Sequence, residues 1–272
     1  MAEGPRPGTG SPGIPVPRAL RATGYFARSY RRTWRASVAT TFVSPVLYLA
    51  AMGVGLGHFV NRGAHPGYLG GVSYLQFVAP ALAAATAVST ASGEATYPVM
   101  AAIKWLKTYF AMLATPLRVG DVLAGHLLWI AARVTAAVAA YLVVMAAFGT
   151  TPSWQAVGVL PAGVLTGLAF ATPLAAFSAT QENDSSFSLI FRLGIVPLFL
   201  FSGVFFPISV LPEGLRVIAY ATPLYHGVAL CRMLDLGRTA AGPLAAHAAY
   251  LVALAAGGAV LAHRAFSARL RT

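Results

Sequence analysis

The chain contains, at Val122–Phe148, the stretch VLAGHLLWIAARVTAAVAAYLVVMAAF, in which Arg133 is the only Asp, Glu, Lys or Arg residue. A bilayer has a hydrocarbon core of about 30 Å, which roughly 20 apolar helical residues cross. The whole sequence is 57% hydrophobic and 10% charged, with a mean hydropathy of +0.70. Because backbone groups need internal partners in lipid, these values predict an all-α integral membrane protein.

Working outward from this stretch, we predict six transmembrane helices within a transmembrane domain at 37–272. Their expected bounds are Val38–Val60, Val72–Gly93, Val122–Phe148, Ala156–Ala179, Phe187–Phe206 and Leu244–Ala262. Between the last two lies Pro207–Leu236, whose apolar runs are broken by three prolines and are too short to cross. This segment is predicted to form an external re-entrant helical hairpin, which is allowed where protein buries it.

The basic residues indicate the orientation of these six segments. Seven of the 19 Lys and Arg residues, from Arg6 to Arg35, precede the first span and lie on one side of the membrane. The other side has only Arg62, Arg216, Arg232 and Arg238. Since positively charged loops stay cytoplasmic, both termini are expected in the cytoplasm of a multi-pass plasma-membrane protein. The net charge of +12 then indicates contact with anionic lipid rather than with nucleic acid, which would need a soluble basic domain.

The N-terminal region divides into two parts. Residues 1–17 are rich in Pro, Gly and Ser and are predicted to be disordered. Residues 18–36 predict an amphipathic interfacial helix, with arginines on one side and Ala22, Phe26 and Tyr30 on the other. Such a helix anchors the first span, and it also offers a docking surface for a cytoplasmic partner.

The segment between the second and third spans has its own pattern. Pro98 is expected to end the preceding helix, and 99–113 then predicts an amphipathic helix along the cytoplasmic surface. Ile103, Leu106 and Phe110 recur on one face at helical spacing, whereas Lys104 and Lys107 share another. One interpretation is an ordinary interfacial helix, and the other is a lever that receives force from a soluble motor domain.

Three blocks of this sequence resemble the membrane permease subunits of type-2 ABC exporters, in particular the nodulation-factor (lipo-oligosaccharide) and daunorubicin-resistance permeases. The blocks are SPVLYLAAMGVGLG at Ser44–Gly57, GEATYPVMAAIKWLKTYFAMLATPLRVGDVLAG at Gly93–Gly125, and FLFSGVFFPISVLPEGLRVIAYATPLYHGVALCR at Phe199–Arg232. The third is the most specific, because FSGVFFP, LP and PLYH occur in the order found in that family. The resemblance covers about Ala27 to Leu270.

The resemblance implies six spans per subunit, a permease homodimer and one ABC ATPase subunit bound to each permease. It also implies that 99–113 is a coupling helix, and the candidate coupling residues are Glu94, Ile103, Lys104, Leu106, Lys107 and Phe110. An exporter of this kind would move an amphiphilic or hydrophobic substrate outward. A drug or antibiotic, as in multidrug efflux and antibiotic resistance, a lipid, and a lipid-linked oligosaccharide all fit.

The chain itself has no phosphate-binding loop of the form G-x-x-x-x-G-K-[ST], since its only lysines are Lys104 and Lys107 and neither follows Gly. It is therefore predicted not to be an enzyme, to bind no cofactor of its own, and to rely on ATP and Mg²⁺ held by a partner. An ion-gradient-driven carrier is one alternative, although no acidic residue lies at the centre of a predicted span. A membrane-embedded enzyme is another, although no catalytic motif or metal-ligand histidine pair occurs.

Arg133 is the exceptional residue of the third span, because it falls near the bilayer centre. An arginine facing lipid there costs at least about 2.5 kcal/mol, so it should face protein or a wet cavity. Two roles stay open. Arg133 either bonds a carbonyl or hydroxyl group as a structural element, since no acidic partner is evident in the spans, or it contacts a polar or anionic head group of the substrate.

Overall fold

The computed structural model of the protein describes residues 17–31, 34–63 and 69–271, which form helices connected by turns, with no strand among them. The helices are α1 (Arg18–Tyr30), α2 (Trp34–Ala50), α3 (Gly57–Gly63), α4 (Tyr74–Ala95), α5 (Tyr97–Met100), α6 (Thr108–Leu113), α7 (Val119–Ala147), α8 (Val159–Thr180), α9 (Ser185–Leu189), α10 (Val196–Phe201), α11 (Glu213–Tyr220), α12 (Pro223–Asp235) and α13 (Ala241–Leu270). Short π-helical or 3₁₀ turns occupy Ala51–Leu56, Ala101–Trp105, Trp154–Gly158, Ile190–Ile195 and Ile208–Val210. The predicted disordered tail lies outside the described residues except for Pro17.

Within the described residues, five helical stretches are long and apolar enough to cross a membrane. They are Thr41–Arg62, Tyr74–Trp105, Val119–Ala147, Trp154–Thr180 and Ala241–Leu270. This agrees with the predicted all-helical, multi-span fold class. Five of the six predicted spans therefore correspond to a long apolar helix.

The fifth predicted span, Phe187–Phe206, is shorter in the structure than expected. Its helical part is Ser185–Phe201, and at about 1.5 Å per residue it is only about 26 Å long. The chain then leaves the helix at Ser202 and bends at Gly203, which has a φ of +79°. Such a backbone conformation favours glycine and ends the helix before the apolar run ends.

The centre of the bundle is formed by α4 and α8, which pack against each other and against α7 and α12. Helix α13 covers the far side of α8. At their crossing, a Cβ atom added to Gly258 of α13 would lie 2.6 Å from Cδ of Pro173 on α8. Only glycine therefore permits this close approach, in keeping with the small residues that mark membrane helix interfaces.

Within the segment 18–36, helix α1 ends at Tyr30, and a second helix begins at Trp34. Residues 32–33 between the two helices lie outside the described residues. The buried side of α1 contains Ala22, which packs where α7 has Gly125, and a Cβ atom at Gly125 would lie 2.8 Å from the Ala19 carbonyl oxygen. Helix α1 is thus packed against the bundle along α7.

The segment 207–236 forms two helices, α11 and α12, separated by a turn at Ala221 and Thr222. Helix α12 is not loosely attached, because it packs on α4, α8 and α13. Its Arg232 donates hydrogen bonds to the carbonyl oxygens of Phe77 and Gly203 at 3.1 Å and 2.9 Å. The segment after the fifth apolar stretch thus contains two helices.

The prediction of one continuous helix over 99–113 is wrong. The segment consists of α5, the π-helical turn Ala101–Trp105, and α6, and Lys107 between them has a left-handed φ of +50°. A left-handed residue cannot continue a right-handed helix, so the helix is interrupted there. Periodicity could not detect this break because lysine is not a residue that usually marks one.

The bundle has two ends, which we name after the predicted coupling segment 99–113 and the predicted hairpin 207–236 that they contain. The coupling end contains α1, α6 and the C-terminal ends of α4, α8 and α13. The hairpin end contains α11 and the loops that follow α3 and α7. There, Asn61 Oδ1 accepts a hydrogen bond from the Tyr74 backbone at 2.9 Å, and Arg238 donates to the Gly70 carbonyl at 2.8 Å.

Candidate functional site

A network of polar side chains surrounds Glu94, which lies in the last turn of α4. Its Oε1 accepts a hydrogen bond from Arg133 Nε at 3.0 Å, and its Oε2 accepts one from Trp129 Nε1 at 3.2 Å. The guanidinium carbon of Arg133 lies 4.3 Å from the centre of the Tyr30 ring. The side chains of Glu94 and Arg133 are each only 21% exposed. The network thus ties α1, α4 and α7 together through a shielded ion pair.

The network continues to α6 through His126. The His126 Nε2 donates to the Glu94 carbonyl oxygen at 3.1 Å, which leaves Nδ1 as the acceptor of the Tyr109 hydroxyl at 3.0 Å. His126 and Tyr109 are both fully buried. Burial raises the pKa of the Tyr109 phenol above its usual range, so the hydroxyl stays protonated and remains a donor. Tyr109 and His126 thus connect α6 to the backbone of Glu94 through two hydrogen bonds.

The expectation that Arg133 lacks an acidic partner is wrong, because Glu94 is its ion-pair partner. The structure extends α4 to Ala95, two residues beyond the predicted end, and this brings the carboxylate onto the helix face that α7 contacts. One signal in the sequence was available. His126, Trp129 and Arg133 are spaced by three and four residues and therefore share one face of α7.

The other candidate coupling residues do not form one surface. Ile103 is buried in the core, Phe110 is half-buried against it, and Leu106 is 69% exposed. Lys104 turns toward the loop after α8, and Lys107 occupies the strained turn. The predicted apolar face of one helix is thus divided between an inner and an outer part.

An exposed apolar pair marks the outer part. Trp105 and Leu106 expose 60% and 69% of their surface, directly before the left-handed turn at Lys107. We name Trp105, Leu106 and Lys107 the coupling knuckle.

A second ionic cluster lies beside the coupling knuckle. Glu182 Oε2 lies 2.8 Å from Lys104 Nζ, and Glu182 Oε1 lies 2.6 Å from Arg269 Nη1. These two cations hold the pKa of the Glu182 carboxyl well below its usual value, at about 2. Since the Glu182 side chain is 65% exposed, water screens this cluster far more than the Glu94 pair. It connects the segment after α4, the loop after α8, and the end of α13.

A cleft with hydroxyl groups on its walls lies between α2, α4, α7 and α10, with a volume of about 390 Å³. We name it the hydroxyl cleft. Its hydrogen-bonding side chains come from three helices at helical spacing; they are Thr41, Ser44 and Tyr48, then Thr86, Ser89 and Thr90, then Arg133 and Tyr141. The ring of Phe199 lies on its α10 side. The Tyr141 hydroxyl is buried and has no hydrogen-bond partner within the described structure.

An apolar groove of about 320 Å³ adjoins the hydroxyl cleft. It is lined mainly by Phe42, Val143 and the alanines of α7, and it shares Thr41, Thr90 and Arg133 with the cleft. The two spaces together therefore present a polar part and an apolar part to one molecule. This is the arrangement that an amphiphile requires.

The residues of the hydroxyl cleft were missed in the sequence, apart from Arg133. Ser, Thr and Tyr are common in transmembrane helices, where their hydroxyl groups often bond to a carbonyl one turn earlier, as Thr86 does to Leu82 at 2.8 Å. The signal that could have found them is the combination of polar side chains three and four residues apart in three different spans.

Comparison with known proteins places these observations in a family. A model of the family described as "ABC-2 type transporter" matches residues 24–235. The chain is 34% identical to Nodulation protein J of Rhizobium leguminosarum bv. trifolii, over 77% of this chain and 78% of that protein. It is 30% identical to Nodulation protein J of Bradyrhizobium diazoefficiens, over 82% of this chain and 84% of that protein. It is likewise 30% identical to Nodulation protein J of Rhizobium meliloti, with 77% and 78% covered.

Proposed function

The chain belongs to the ABC-2 type transporter family, and we propose that it is the permease of an exporter in which a separate ABC ATPase subunit hydrolyses ATP. In this proposal two copies of the chain form the membrane unit and each binds one ATPase, which holds the ATP and Mg²⁺. The observation that carries the proposal is the coupling knuckle, an exposed apolar pair at the end of the bundle where a soluble subunit would dock.

The contacts around the coupling knuckle support a role in force transfer. Lys104, two residues before Leu106, is held by Glu182, and Glu182 is held by Arg269 near the end of α13. On the other side, Tyr109 reaches Glu94 through His126. Displacement of the coupling knuckle by an ATPase would therefore act on α13 and on the α4–α7 contact together.

The proposed topology follows from the basic residues and the fold. Both termini lie in the cytoplasm. Ser185–Phe201 and the bend after it form the fifth of six crossings of the plasma membrane. The segment 207–236 is a re-entrant hairpin on the outer face. Residues 18–36 act as an interfacial segment and 37–272 as the transmembrane domain, with 99–113 as the coupling segment. A shortened fifth crossing is accommodated where protein surrounds it.

The proposed substrate is an amphiphilic or hydrophobic molecule that leaves the cytoplasm or the inner leaflet. The apolar groove and the hydroxyl cleft support this class, because they share Thr41, Thr90 and Arg133 in their linings and differ in polarity. Drugs and antibiotics, lipids, and lipid-linked oligosaccharides all belong to it. The relatives carry the name Nodulation protein J, which is compatible with an exporter of the lipo-oligosaccharide class.

Co-purification tests the ATPase partnership. The tagged permease would be purified from its host membranes in three forms, namely wild type, Leu106→Asp and Trp154→Asp, and bound ABC ATPase measured by mass spectrometry. A charge placed in an apolar docking contact removes much of the favourable binding energy, so the Leu106→Asp permease should no longer bind the ATPase. Trp154, which is 84% exposed at the hairpin end, is the matched control and should keep it. Equal ATPase recovery with Leu106→Asp and wild type would contradict the proposal.

A further inference from the structure

We propose that the hydroxyl cleft binds the uncharged head group of an amphiphile and excludes anionic head groups, and that Glu94 sets this selectivity through Arg133. This inference rests on the proposed exporter function, whose substrate it narrows. An arginine facing a polar cavity in a membrane protein would ordinarily attract an anion. Here the charge of that arginine is already balanced.

The first step is the charge of the cleft. Arg133 lines both the hydroxyl cleft and the apolar groove, and its Nε is bonded to Glu94 Oε1 at 3.0 Å. Glu94 itself lines neither space. It lies behind Arg133, in the groove that α1 forms with the coupling segment. An entering anion would therefore meet a guanidinium whose field is compensated from behind by a carboxylate.

The second step is the hydrogen-bonding capacity of the cleft. Thr86, Ser89 and Thr90 lie three and four residues apart and so share the face of α4 that borders the cleft. Across from them, Tyr141 lines the cleft, and its buried hydroxyl has no partner in the described structure. A buried hydroxyl without a partner is unfavourable, and a ligand hydroxyl or carbonyl would satisfy it. Hydroxyl walls suit a head group that donates and accepts several hydrogen bonds and carries no charge.

The third step is the position of the alkyl part. The apolar groove adjoins the cleft at Arg133 and is bordered by Phe42, Ala136, Ala140 and Val143. Small side chains leave room there for an alkyl chain. A single amphiphile can thus place its head among the hydroxyl groups and its chain along α7, with Arg133 at the junction.

Photolabelling tests this assignment on the full-length permease in lipid nanodiscs, without ATPase. The probe is a dodecyl maltoside that carries a photoactivatable diazirine on its alkyl chain, and labelled peptides are mapped by mass spectrometry. We expect label on α7 near Ala136–Val143, displaced by unlabelled dodecyl maltoside and not by dodecyl phosphate of the same chain length. Displacement by both to the same degree would overturn the proposed selectivity.

Two variants separate the roles of charge and hydroxyl groups. Glu94→Gln keeps the shape but releases the charge of Arg133, so displacement by dodecyl phosphate should become about tenfold more effective. Tyr141→Phe removes a hydroxyl that bonds nothing in the protein, and maltoside binding should weaken by about two- to tenfold while the fold is unaffected. An unchanged selectivity in Glu94→Gln, or unchanged maltoside binding in Tyr141→Phe, would contradict the corresponding assignment.

The matched controls are Glu182→Gln and Tyr97→Phe. Glu182 is the carboxylate of the exposed ionic cluster, and Tyr97 packs on Phe187 away from the cleft. Neither change should alter the probe competition. Because binding is measured without ATP or an ATPase, failure of ATP-driven export would leave this result standing, and failure of probe binding would leave the ATPase partnership standing.

Discussion

The molecule has two carboxylates with cationic partners near its coupling end, and they differ mainly in their surroundings. Glu94 and Arg133 form a pair in which each side chain is 21% exposed, with Trp129, His126 and Tyr30 around it. Glu182 has two cations, Lys104 and Arg269, yet it is 65% exposed. The number of partners is therefore a poor guide to how much an ionic cluster stabilises the fold, since water screens the charges of the second cluster. The shielded pair connects α4 to α7, whereas the exposed cluster connects the ends of its segments through charges that water screens.

The largest effect should come from breaking the shielded pair on one side. Arg133→Leu leaves the Glu94 carboxylate without its cation in a partly dry site, and we expect a loss of about 2–3 kcal/mol of stability, somewhat below the value for a fully buried pair. Thermal unfolding of the purified protein in nanodiscs measures it. The double variant Arg133→Leu/Glu94→Leu should recover much of the loss, because it leaves no unpaired charge. A stable single variant would show that the pair does not hold α4 to α7.

A third carboxyl, Asp235 on α12, extends the comparison because it is fully buried and neither of its oxygens has a partner in the described structure. Burial raises the pKa of Asp235 to about 7. The folded protein then retains a proton that the unfolded chain releases at a pKa of about 3.9, so stability decreases as the pH rises from about 4 toward 7.

The buried thiol of Cys231, one turn before Asp235, reports this effect. Maleimide labelling of Cys231 should increase more steeply with pH in the wild type than in Asp235→Asn, which cannot ionise. Burial and the Asp235 charge both raise the pKa of the Cys231 thiol, so thiolate formation alone would make the wild-type profile less steep than that of Asp235→Asn. A steeper wild-type profile therefore reports loosened packing of α12. Identical pH profiles would mean that Asp235 does not control the packing of α12.

A smaller effect is expected from Trp129→Phe, which removes one hydrogen bond to the shielded carboxylate but keeps Arg133. The loss should be about 1–2 kcal/mol of stability, near the lower end of the roughly 1.5–3 kcal/mol range for a hydrogen bond to a charged group, because the bond is 3.2 Å long and the carboxylate keeps Arg133. Unfolding under the same conditions measures it, with Trp154→Phe as a control at an exposed site. A loss as large as that of Arg133→Leu would assign the carboxylate to Trp129 rather than to the arginine.

The smallest effect on stability should come from the exposed cluster. Glu182→Gln should leave the unfolding temperature unchanged at neutral pH and moderate salt, because an exposed ion pair contributes little. Its pKa is lowered to about 2, so whatever it contributes is present above about pH 4 and is lost as the pH falls toward that value. A measurable loss of stability at neutral pH would remove the distinction between the two clusters.

Prediction from sequence succeeded where the residues of one helix are sufficient to identify that helix. The apolar length of Val122–Phe148 was sufficient for α7, and the amphipathic pattern was sufficient for α1. The coupling segment was harder, since its break depends on the left-handed backbone of Lys107. No local pattern of residues indicated that turn.

The fifth span shows a second kind of limit. Its apolar composition continues to Phe206, but the helix ends at Phe201 because the chain turns at Gly203 to meet α12. There Ser202 and Thr222 share a hydrogen bond of 3.0 Å between their hydroxyl groups. Hydropathy measures whether a segment is apolar enough to lie in lipid. It does not measure where a helix ends so that the chain can contact another helix.

The sequence by itself determined the membrane class, the helical fold and the resemblance to ABC exporter permeases. Apolar length, charge distribution and the order of motifs depend only on the order of residues along the chain. The partner of Arg133 was decided only by the tertiary structure, since Glu94 is 39 residues away and comes close through the packing of α4 on α7. The hydroxyl cleft likewise requires side chains from several helices. A site formed across helices depends on their relative rotation and register, which no single stretch of the chain specifies.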